Sequence, residues 1–157
     1  MESEVHQYYG NKIRVRACGL CIVESKILLI NHSGITKTNF WSPPGGGLNF
    51  GESAEDCLKR EFLEETGLQI LVKDFLFVCE LVQGPLHAIE LFFQVEPTTG
   101  TLTIGHDPEP GSPSIIKDVK FVSWAELKDF PSGEVHGIFK YAGTPSNVDK
   151  LRGFFKL

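Results

Sequence analysis

Three glutamates, Glu61, Glu64 and Glu65, lie close together in the stretch GGLNFGESAEDCLKREFLEETGL, Gly46 to Leu68. Ser53 is suited to cap a helix running to about Thr66, Asp56 three residues on makes a near capping box, and Gly67 suits a left-handed exit. On such a helix, at about 100° per residue with Leu58 as zero, Glu65 falls near −20°, Glu61 near −60° and Glu64 near −120°. Glu61 and Glu65 therefore face the apolar side with Phe62. Glu64 shares a flank with Arg60, within its reach at i, i+4. The spacing predicts three carboxylates converging on one rim.

That placement opposes the helix macrodipole, sets like charges together at about 0.2–0.5 kcal/mol a pair, and partly desolvates carboxylates. A cation is the natural compensation. Mg²⁺ and Mn²⁺ favour oxygen ligands, and Mg²⁺ keeps several of its waters, so acids beside a glycine-rich loop suit them. A solvated acidic face balanced by Lys59 and Arg60 is the simpler alternative, but the loop, the cap and the inward angle all favour metal.

The same stretch resembles the Nudix box, G-x5-E-x7-R-E-U-x-E-E-x-G-U with U apolar, through Gly46, Glu52, Arg60, Glu61, Phe62, Glu64, Glu65, Gly67 and Leu68. The resemblance implies an α+β fold, the Nudix α/β/α sandwich with a mixed central sheet, as a single domain over residues 1–157. It implies hydrolysis of a phosphoric anhydride by attack of water on phosphorus, with Mg²⁺ or Mn²⁺ held by Glu61, Glu65, Glu64 and the Gly45 carbonyl. Glu52 and Arg60 would brace these acids. Glu64 is favoured as general base, Glu109 comes next, and Glu61 and Asp118 also qualify by chemistry. The substrate expected is a small nucleotide-like diphosphate: ADP-ribose-like, a nucleotide sugar, or a nucleoside triphosphate. Two rivals are a non-catalytic Nudix-like sensor of nucleotide metabolites and a hydrolase of non-nucleotide diphosphates. Relatives acting on ADP-ribose carry a proline near the place of Pro85, although a Gly84-Pro85 turn accounts for it here.

The elements that must position these acids read as follows. Ile13 to Glu24 and Lys26 to Asn31 form a hairpin. Ser42-Pro43-Pro44-Gly45-Gly46-Gly47 reads as a shaped loop that continues neither strand nor helix. Beyond Gly67, Leu68 to Val72, Phe75 to Val82 and Leu86 to Val95 read as an antiparallel meander. A Pro- and Gly-rich loop runs from Gly105 to Ser114, a strand from Val119 to Trp124, and a short helix from Trp124 to Phe130. Val148, Leu151 and Phe154 or Phe155 recur at helical spacing, predicting a terminal helix that packs on the sheet or on a second copy in a homodimer.

The chain's 157 residues, 41% hydrophobic with 12 Phe, suit one globular core. A net charge of −5 argues against nucleic-acid and membrane-surface partners, which call for a basic surface. The opening MESEVHQYYGNK lacks the basic start and apolar run of a signal peptide, so the chain reads as cytoplasmic. Cys18 and Cys21 form a C-x-x-C on a strand, where that spacing sends them to opposite faces, and with Cys57 and Cys79 they read as core. Phe40 and Trp41 also read as core. His32, His87, His106 and His136 lack metal-ligand spacing and read as surface or packing residues.

Overall fold

The computed structural model describes residues 4–33, 39–106 and 115–157. A short helix α1 (Glu4–Tyr9) leads into strand β1 (Lys12–Val23), which turns into β2 (Lys26–Ser33). Glu24 and Ser25 both have positive φ, 50° and 61°, as a tight two-residue hairpin turn between right-twisted strands requires. Strand β1 serves two partners along its length. Its Lys12–Cys21 stretch pairs in parallel with Leu86–Val95 of β6 (Leu86–Gly100), while Ile22 and Val23 pair with β2. On its other edge, Arg16–Cys18 pairs with β4 (Gly45–Gly47). Strand β2 is flanked by β3 (Phe40–Ser42) and β7 (Ile115–Ser123), and β6 by β5 (Leu68–Gln83).

Helix α2 (Ala54–Thr66) covers one face of this mixed sheet, burying Leu58 and Phe62 with Ala17, Leu28, Ile30 and Val95. The opposite face packs Leu20, Leu29, Phe77 and Phe92 against Leu127 of α3 (Trp124–Asp129) and Ile138 and Phe139 of α4 (Ile138–Tyr141). This is the expected α/β/α layering. Cys18 and Cys21 lie in the two different cores and all four cysteines are buried and free, as their strand spacing predicts. Trp41 is core, stacked on Phe130 at 5.1 Å. Among the described residues no helix is long and apolar enough to cross a membrane.

Three expectations are corrected. The glycine stretch does form a strand: Gly45–Gly47 lies against β1, because glycine keeps its N–H and needs no room for a side chain. Leu68 to Val82 is continuous, its Lys73-Asp74 interruption absorbed as an irregularity in the pairing with β6. Its pairing with β6 is antiparallel, as expected. The terminal helix is absent. Pro145–Lys150 forms a 3-10 turn and Gly153–Lys156 becomes β8, parallel to β5, where it supplies backbone partners to an otherwise open sheet edge.

Candidate active site

Helix α2 begins where Ser53 Oγ accepts the Asp56 N–H at 3.0 Å and ends at Gly67, whose φ of 78° is left-handed. Its last turn carries no basic residue. The chain after β6 compensates by donating to the final carbonyls: Thr103 N–H to Thr66, Gly105 N–H to Glu65 and His106 N–H to Glu64. Gly105 has to be small, because a Cβ there would overlap the Glu64 carbonyl. Of the loop read from Gly105 to Ser114, residues 107–114, and with them Glu109, lie outside the described residues.

The predicted helix angles hold. Glu61 and Glu65 are each 3% exposed, and both line a cavity of ≈ 360 Å³ together with Gly45 and Gly46. Glu65 Oε1 accepts the Gly45 N–H at 3.1 Å. Glu61 lies so close to Gly46 that a Cβ there would overlap its carboxylate. Burial pushes the Glu61 carboxyl up to about 7, against the opposing pull of Arg60 and Arg16.

Arg60 gathers the outer acids. Its Nε and Nη2 each meet a Glu52 oxygen at 2.8 Å, while Nη1 donates to Glu61 at 2.9 Å and to Glu64 at 3.3 Å. The hydrogen bonds from Arg60 hold the Glu52 carboxyl down at about 2. Glu64, its side chain 30% exposed, is not on the cavity wall, and neither is Asp118, whose Oδ1 accepts the Val119 N–H at 2.9 Å. Among the described residues no three His, Cys, Asp or Glu side chains stand together as a ready metal cage, and Arg60 bridges Glu61 and Glu64.

Sequence reasoning passed over a second group on the same wall. Arg16 on β1 is paired with Glu90 on β6, its register partner. The other Glu90 oxygen lies 2.7 Å from His136 Nε2. His136 Nδ1 accepts the Ile138 N–H at 3.1 Å, so the ring proton is on Nε2 and points at Glu90. Burial alone would raise the Glu90 carboxyl, but His136 and Arg16 outweigh it and hold it at about 2. The cavity is also lined by Val5 and Tyr9 of α1, by Leu86, and by Phe40, which was expected to be core.

Comparison with known proteins agrees with this fold. The NUDIX domain family model matches residues 12–140. This chain is a member of the Nudix family. The Nudix chain is 34% identical over 91 residues to an ADP-ribose pyrophosphatase of Methanocaldococcus jannaschii, covering 57% of this chain and 54% of that protein. It is 36% identical over 47 residues to an RNA pyrophosphohydrolase of Bartonella clarridgeiae, covering 30% of this chain and 27% of that one. It thus spans about half or less of these curated relatives. A MutT protein from Methanosarcina mazei Go1 shares the Nudix fold at a TM-score of 0.68 with 18% identity, over 89% of this chain and 95% of that one.

Proposed function

We propose that the chain is a divalent-metal-dependent pyrophosphohydrolase that cleaves a nucleoside diphosphate linked to another group. The observation carrying this reading is the burial of Glu61 and Glu65 on the wall of a cavity, against the Gly45 peptide. The donors there fit Mg²⁺ or Mn²⁺: the Glu61 and Glu65 carboxylates and the Gly45 carbonyl are all hard oxygens on one cavity wall. Glu61, Glu65 and the Gly45 carbonyl would hold the cation, with Glu64 at the margin. Bound there, it would supply Lewis acidity toward the phosphate oxygens and the attacking water.

The chain's own residues do the rest. Arg60 keeps Glu52, Glu61 and Glu64 in one orientation, and Glu64, at the margin of the site, would accept the proton of a water attacking from that side. A second reading gives that last role to Glu61, favoured by its place on the cavity wall. The ADP-ribose pyrophosphatase relative makes ADP-ribose a first substrate to try.

The test is a hydrolysis screen with Mg²⁺ or Mn²⁺ over ADP-ribose, nucleotide sugars, dinucleoside polyphosphates and nucleoside triphosphates, with the nucleoside monophosphate products separated by chromatography. Glu65→Gln is expected to lower kcat at least 100-fold while the circular dichroism spectrum stays native, and Glu64→Gln to lower it comparably if Glu64 is the base. Undiminished turnover by Glu65→Gln would remove the metal assignment.

A further inference from the structure

The Gly45 residue is held on both sides of its backbone. Its N–H donates to Glu65 at 3.1 Å, and its carbonyl accepts Arg16 Nη2 at 3.3 Å. Arg16 is in turn fixed from behind by Glu90, which takes a hydrogen bond from His136 and the Cys18 thiol at 3.7 Å. The chain of contacts therefore runs from the backbone of α4, through three side chains, to an acid on α2. A carboxylate as buried as Glu90 is costly in an apolar wall, and a hydrophobic residue of similar size would serve stability as well. Arg16 is also not fully withdrawn: its side chain is 23% exposed and lines the cavity. Its one bond to the Gly45 carbonyl leaves the second lone pair of that oxygen for another partner.

We infer that Arg16, anchored by Glu90 and His136, is a positioning residue that fixes the Gly45 carbonyl while Glu65 holds the Gly45 N–H, and so shapes the cation site. The inference rests on the metal-dependent reading above. A guanidinium suits the task because its planar fork reaches Glu90 and the Gly45 carbonyl at once, which the point charge of a lysine does not.

Mn²⁺ binding by the full chain, followed by electron paramagnetic resonance without substrate, tests this. Arg16→Lys is expected to weaken Mn²⁺ about 10-fold, within the usual range for residues that orient metal ligands. With the metal saturating, it is expected to lower kcat while KM for the substrate found in the screen stays within about twofold. Glu90→Gln, which leaves Arg16 in place but loosens its anchor, is expected to weaken Mn²⁺ by a smaller factor of about 3. Folded variants that bind Mn²⁺ as tightly as the parent would overturn the inference. So would failure of both variants to fold, because the cluster would then serve the fold alone. A parent protein that takes up no Mn²⁺ would instead overturn the metal-dependent reading on which it rests.

Discussion

Gly46 is small because Glu61 is buried against it, and the consequence is testable. In Gly46→Ala the new methyl meets the Glu61 carboxylate, so the helix or the strand has to give way. Overpacking of this kind costs about 1–3 kcal/mol, to be read as a lower melting temperature together with reduced Mn²⁺ affinity. An unchanged melting curve would mean the contact is looser than described. The acids of α2 were legible in the sequence because they violate what a helix wants at its end, and a violation repeated at fixed spacing is a signal. Glu90 and His136 carry no such spacing. What joins them is the register of β1 on β6, which places Glu90 opposite Arg16 across 74 residues of chain. One trace was present: Leu86, Ala88, Glu90 and Phe92 alternate onto one buried face of β6, and an acid in that row needs a partner.

At the level of elements, α2 was readable at both ends because its signals are local: a hydroxyl before the first turn and a glycine after the last. Ser53→Ala removes the acceptor for the Asp56 N–H and is expected to cost about 1 kcal/mol in urea unfolding with no change in the spectrum of the folded protein. A midpoint that does not move would deny the cap its role. The chain's end was misread for the converse reason. Val148, Leu151 and Phe154 or Phe155 fit a helical period, but a short segment is decided by what lies beside it, and the free edge of β5 takes Gly153–Lys156 as a strand. Phe155 then packs edge-on to Phe77 at 5.8 Å, a contact no local pattern announces. The glycine stretch was misread in the same way, its strand character arising only from its pairing with β1.

Across the whole molecule, the buried ionic cluster makes stability depend on acid. The Glu90 carboxyl sits at about 2 when folded against an ordinary value near ~4.3, so its contribution is fully present above about pH 4.3 and is lost as pH falls from there toward 2. Circular dichroism melts across that interval are expected to show the parent losing stability steeply. Glu90→Gln should be less stable at neutral pH and shallower in slope, and parallel slopes would place the acid sensitivity elsewhere. The same cluster ties together Arg16, Glu90 and His136, residues far apart in the chain. A polypeptide emerging from the ribosome N-terminus first therefore carries Arg16 without its anchor for on the order of ten seconds, at ~5–20 residues per second, until His136 follows. During that interval the glycine strand lacks the support that would aim it at the acids, and the nascent chain is expected to bind Mn²⁺ weakly.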